Sequence, residues 1–138
     1  MNYDKESTNL NEMLISRMES VEEVRELLVE FNNVFNPALD ERIIDISSYA
    51  EKLIKKGYVY IASSNGNIVG FISFYANNSK EHIAYLSQIA VKPVSHNNNV
   101  GTALLSKCID ISSKNGMVAL KLEVMDSNIN AISFYLHK

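Results

Sequence analysis

Cysteine, proline and glycine are scarce in this chain of 138 residues: one Cys, two Pro and five Gly, with no Trp at all. One thiol cannot close an internal disulfide, so the fold must hold without a disulfide framework. Cys108 lies among apolar residues at helical spacing and reads as a core thiol rather than a nucleophile, which fits a reducing cytoplasm. So little Gly and Pro excludes collagen-like and low-complexity chains. An excess of one charge is lacking too. Thirteen basic against sixteen acidic residues give a formal charge of −3 with no basic stripe, which argues against nucleic acid as a partner. No run approaches the roughly 18 apolar residues that span a bilayer, and the first twelve residues carry no apolar leader core, so no membrane partner is expected. No metal site is expected either. What is present is 46% hydrophobic and 21% charged, an ordinary globular mixture at a length that suits one domain.

Residues 1–12 are polar and without period, and are read as a flexible N-terminal arm ahead of a single domain over 13–138. MLISRM (13–18) makes a first strand. Ser20 with Glu23 is a capping box, and Val24, Leu27, Leu28 and Phe31 then recur at helical spacing, so a helix runs from 21 to about Phe35. Asn36-Pro37 breaks it. A second helix is read from about Glu41 through Lys56, with Gly57 as its stop. The texture changes at Tyr58. YVYIAS, the turn around Asn65-Gly66 and IVGFISFY make a β-hairpin, and HIAYLSQIAV (82–91) adds a third strand to the meander. Val100, Leu104, Cys108 and Ile111 mark a helix ending at Asn115-Gly116; 117–125 alternates as a strand, and Asn128 to Leu136 reads as helical. The expected order is β-α-α-β-β-β-α-β-α.

The stretch that can carry chemistry is strand, polar loop, helix, at residues 89–105 (IAVKPVSHNNNVGTALL). A helix N-terminus offers unpaired N–H donors and the positive end of the macrodipole, and small residues there let a phosphate approach the backbone. By itself such a loop equally serves to turn a corner.

Several motifs in register decide between these readings. Val91-Lys92-Pro93 ends a strand, His96 to Gly101 opens a helix, LEV follows at 122–124, and Asn128, Ala131 and Tyr135 close the run. Together they resemble the GNAT superfamily of acyl-CoA-dependent N-acetyltransferases, from Met13 onward. The resemblance implies an α/β (α+β) fold with a mixed, largely antiparallel, twisted sheet flanked by helices. It implies that Ile89, Ala90 and Val91 bond the pantetheine arm of acetyl-CoA as another strand would, with the Val91 N–H polarising the thioester carbonyl. The amides of His96, Asn97, Asn98 and Asn99, continuing through Val100, Gly101 and Thr102, would take the pyrophosphate. Asn128 would touch the pantetheine, and Tyr135 would bind there and protonate the departing thiolate.

Three departures qualify the match. His96 stands where the family has Arg or Gln, which removes a fixed charge near a polyanion; binding should tighten when His96 is protonated. Asn99 stands where the family has Gly, and Asn is the non-Gly residue that best tolerates left-handed backbone. The family's final strands are absent, so the strand at 117–125 is expected to show an apolar edge that a homo-oligomer would cover, or the sequence is shortened. No general base is evident: Glu81, His82 and Glu123, or water, are the alternatives. The function implied is acetyl transfer from acetyl-CoA to a primary amine of a small molecule by direct attack in a ternary complex. The alternative is a catalytically inactive acyl-CoA-binding or partner-binding module of the same fold.

Overall fold

The computed structural model describes residues 13–122 and 132–135. Six strands form one sheet in the order β1-β2-β3-β4-β5-β6, so sheet order follows chain order. β1 is Met13–Arg17, β2 Tyr58–Ser64, β3 Asn67–Tyr75, β4 Ile83–Val91, β5 Ala119–Leu122 and β6 Ile132–Tyr135. All neighbours pair antiparallel except β4 and β5, which are parallel. That one parallel pair requires a crossover, supplied by the helix Val100–Lys114.

Helices cover both faces. α1 (Val21–Glu30) starts where the Ser20 hydroxyl accepts from the Glu23 amide at 3.3 Å, half of the capping box expected there. It passes through the short 3₁₀ turn Asn32–Val34 into the one-turn α2, Leu39–Arg42. The single second helix expected from the sequence is divided at Ile43–Asp45, because the Asp45 carboxylate accepts from the amides of Ser47 and Ser48 and caps a new helix, α3 (Ile46–Lys56). These hydrogen bonds, led by the Ser48 hydroxyl, hold the Asp45 carboxyl below its usual range. On this face Leu27, Leu28, Phe31, Ala50 and Leu53 close over Val59 and Phe71. The Phe31 and Phe71 rings meet edge to face with centroids 5.2 Å apart. On the other face α4 (Val100–Lys114) lays Val100, Leu104 and Cys108 on Ile72, Phe74 and Leu120.

The C-terminal reading is corrected. A helix was expected over 128–136, but Ile132–Tyr135 form β6 and pair antiparallel with β5, Tyr135 opposite Ala119 and Ile132 opposite Leu122. Ile, Phe and Tyr favour extended backbone, and the flank of β5 offers them a ladder. That pairing also corrects the expected open edge: Ala119–Leu122 have β4 on one side and β6 on the other, so this part of 117–125 is closed within the chain and invites no second copy. Among the described residues no helix is long and apolar enough to cross a membrane.

Candidate functional site

β4 behaves as two strands in series. Its first half, Ile83 to Leu86, lies beside β5 in parallel register, and the described part of β5 ends opposite Leu86. The register against β3 then slips: Phe74 faces Leu86 while Ser73 faces Gln88, so Ser87 is an inserted residue, a β-bulge. After the bulge, Ile89, Ala90 and Val91 continue against Ile72, Phe71 and Gly70 of β3. The Lys92 amide donates to the Val69 carbonyl at 2.8 Å, which makes Gly70 and Val91 a pair of the non-hydrogen-bonded kind and turns the Val91 N–H away from β3.

Two contacts fix this half of the strand. The hydroxyls of Ser87 and Tyr49 on α3 share a hydrogen bond. Lys92, just past the strand, reaches Glu30 at the end of α1 at 2.5 Å. On the opposite face the start of α4 sits close because Gly70 has no side chain: a Cβ there would come within 2.8 Å of the Ala90 carbonyl oxygen and 3.0 Å of Val100 Cγ1.

The start of α4 leaves its first amides uncovered by side chains. Asn99 takes the left-handed conformation expected of it (φ 59°, ψ 27°) after the 3₁₀ turn Pro93–Asn98. No side chain caps the first amides, and the first turn holds no acidic residue. A Cβ on Gly101 would meet only Val91 Cγ2, at 3.8 Å, so glycine is not required there by packing and leaves the backbone approachable from outside. The end of β4 and the start of α4 together enclose a concavity of about 430 Å³ lined by Ile89, Ala90, Val91, Asn99, Gly101 and Thr102. Six of the residues expected at the site are thus brought together, and Val100 supports them from the core side. His96, Asn97 and Asn98 belong to the 3₁₀ turn that leads into this corner.

A larger cleft of about 670 Å³ continues along β4 on the α3 face, from Tyr85 to Gln88, with Lys52 and Tyr75 among its walls. It is walled on one side by α3, which packs chiefly on β2 and β3 and reaches β4 through the Tyr49–Ser87 hydrogen bond. Burial pushes the Tyr75 hydroxyl up to about 12, with Tyr49 as a lesser cause, so it stays protonated and donates at neutral pH.

Other expected residues are not brought here. Tyr135 lies opposite Ala119, which itself lies beside Ile83, at the end of β4 remote from Val91. Glu81 and His82 precede β4 at that same remote end and are exposed. Asn128 and Glu123 lie outside the described residues. Sequence reasoning missed Tyr49, Ser87, Tyr75 and the lysines of the larger cleft. Tyr49 sits in the apolar stripe of α3 and reads as core, while a bulge has no signature in a run such as Ile83–Val91.

The chain matches the Acetyltransferase (GNAT) family over residues 21–138. It is 29% identical over 106 residues to an L-2,4-diaminobutyric acid acetyltransferase of Nocardia farcinica, a stretch covering 74% of this chain and 55% of that protein. It is 35% identical over 88 residues to streptothricin acetyltransferase A of Bacillus subtilis, covering 64% and 49%. The chain therefore spans about half the length of these curated relatives. Among solved structures it resembles the yncA protein of Salmonella typhimurium, whose structure includes its cofactor acetyl-CoA, with a TM-score of 0.66 at 14% identity over 91% of this chain and 95% of that one.

Proposed function

Since the chain belongs to the GNAT family of acetyltransferases, we propose that it moves an acetyl group from acetyl-CoA to a primary amine of a small molecule, by direct attack in a ternary complex. The observation that carries this reading is the meeting of the bulged end of β4 with the uncapped start of α4 in one concavity, with a second cleft lined by the preceding residues of the same strand. Donor and acceptor would then occupy neighbouring compartments, lined by consecutive stretches of β4 that meet at Gln88 and Ile89. The two relatives named for diaminobutyric acid and streptothricin support a small-molecule acceptor.

The residues present fit acetyl-CoA, whose thioester would supply the activated acyl group. The amides around Asn99, Gly101 and Thr102 would hold the pyrophosphate, an anion at a helix N-terminus gaining up to about 2 kcal/mol from the dipole. Ile89 and Ala90 would hold the pantetheine arm. The Val91 N–H would donate to the thioester oxygen as negative charge develops there, a role in which a single donor is worth about 3 kcal/mol. The attacking amine must be neutral. Among the described residues no carboxylate lines either compartment and Tyr75 stays protonated, which leaves water or Glu123, outside the described residues, to take the amine's proton. The acid role of Tyr135 and the pantetheine contact of Asn128 rest on the family resemblance alone. A thiol near pKa 8.5 can leave as thiolate, so the scheme does not require Tyr135. The single buried thiol, Cys108, supports a cytoplasmic setting.

A thermal-shift titration with acetyl-CoA, followed by CoA-thiol release across a panel of small amines, tests the proposal. Stabilisation together with amine-dependent thiol release is expected. Stabilisation with no release on any amine would leave a binding module, and no stabilisation would remove the donor site itself.

A further inference from the structure

The larger cleft has a charge pattern that acetyl transfer does not explain. Three lysines line it: Lys52 and Lys56 from α3, and Lys121 from β5. Among the described residues no Asp or Glu lines it, in a chain whose formal charge is −3. Among the described residues none of the three lysines has a carboxylate partner; the ion pairs there join Arg25 to Glu22, Lys92 to Glu30 and Lys114 to Asp110.

Their placement is set by the fold. Lys52 and Lys56 are one helical turn apart, so both sit on the same side of α3. The Lys52 ammonium lies 5.5 Å from the centre of the Tyr75 ring, whose hydroxyl stays protonated. Lys121 follows the buried Leu120 and therefore faces the opposite side of the sheet, the α3 side, in register with Tyr85 of β4. Lys56 has a structural reason to be where it is, since a cation is favoured in the last turn of a helix. Lys52 has the Tyr75 ring beside its ammonium, while Lys121 has no such partner among the described residues. Like charges gathered on one cleft repel each other and focus a positive potential into it, which a bound anion relieves.

We propose that this cleft binds the acceptor through an oxyanion, so that the acceptor is an amine that also carries a carboxylate or phosphate rather than a polyamine or another polycation. Lys52 and Lys121 grip the anion from opposite walls, and Tyr75 and Gln88 supply neutral hydrogen bonds between them and the end of β4. The inference rests on the acetyl-transfer reading for the amine, and on the chemistry of the cleft for the anion.

Matched probes separate the two. L-ornithine and putrescine differ by one carboxylate, and O-phosphoethanolamine and ethanolamine by one phosphate. Calorimetric binding of each to the protein saturated with CoA is expected to favour the anionic member by about tenfold or more, with the tighter anionic probe identifying the oxyanion. Lys52→Gln and Lys121→Gln should each erode that preference roughly fivefold while acetyl-CoA affinity holds. Equal affinity within both pairs, a preference for putrescine, or no binding of any probe overturns the proposal, as does a loss of acetyl-CoA affinity in place of the anion preference. Preferential binding of the anionic probes without thiol release on any amine rejects acetyl transfer and retains the anion site.

Discussion

Tyr49 on α3 and Ser87 in the bulge of β4 share a hydrogen bond between their hydroxyls, 38 residues apart in the chain. It joins the helical layer that walls the larger cleft to the residue at which β4 changes register. Tyr49→Phe removes the bond and leaves a half-buried Ser87 hydroxyl without its partner, and should cost about 1 kcal/mol in urea denaturation. Ser87→Ala made in addition should cost little more, because the double change leaves no orphaned hydroxyl. Equal and additive losses would show that the two groups do not act together.

Gly70 sets how closely the strands approach α4. An alanine there would place its Cβ 2.8 Å from the Ala90 carbonyl oxygen, which belongs to the backbone and cannot swing aside. Gly70→Ala should destabilise the fold by about 2 kcal/mol and weaken acetyl-CoA binding, since the displaced segment is the one next to Val91. A variant of unchanged stability would show that this corner is loosely packed.

His96 occupies the turn that delivers the chain to α4. In the proposed donor site His96→Arg would put a permanent charge near a polyanion and should tighten acetyl-CoA binding by about threefold or more at pH 8, with a smaller gain at pH 5.5, where an ordinary imidazole is charged. Equal affinities of the two proteins at both pH values would remove residue 96 from the donor site.

Tyr135 pairs with Ala119 at the end of β5 that lies beside Ile83. In that register Tyr135→Phe should leave kcat within about twofold and acetyl-CoA affinity unchanged. A loss of tenfold or more in kcat at constant affinity would instead give Tyr135 the acid role that the family resemblance implies.

Cys108 is fully buried, and burial pushes its thiol up to about 12. Its thiolate is therefore about a thousandfold scarcer at pH 8 than that of a thiol with the reference value of 9.0. Iodoacetamide should label the native protein only as fast as it opens, and label it promptly in urea. The same shift has a sign for stability: the folded state keeps the proton that the unfolded chain releases, so this contribution is present below pH 9 and declines as pH rises toward 12. Rapid labelling of the native protein at pH 8 would contradict the buried setting.

Much of this was legible locally. Alternation and helical spacing mark β2, β3, β4 and α4 within a residue or two, because each buries one face and its sequence must repeat with its own period; they also mark the start of α1, which ends at Glu30, five residues before the expected Phe35. The geometry of the proposed donor corner was legible for the same reason: Ile89 to Thr102 is one continuous segment, and its strand, turn and helix start need only local rules, including the left-handed Asn99. The split of the second helix was written in Asp45 but outweighed by an apolar period running through it. The C-terminal strand was not read, because the four strand-favouring residues Ile132–Tyr135 lie in a segment that reads as helical by spacing and the ladder that holds them extended is offered only by β5.

The sequence by itself determined the family and the strand-turn-helix corner proposed as the donor site, because motif, period and capping act over a few residues along the chain. Tertiary structure alone decided the bulge at Ser87, its tie to Tyr49, and the gathering of Lys52, Lys56 and Lys121 around one cleft. The α3 residues, Ser87 and Lys121 are far apart in the chain. What joins them is strand register and the seating of α3 on the sheet, and both are settled only when the whole sheet pairs.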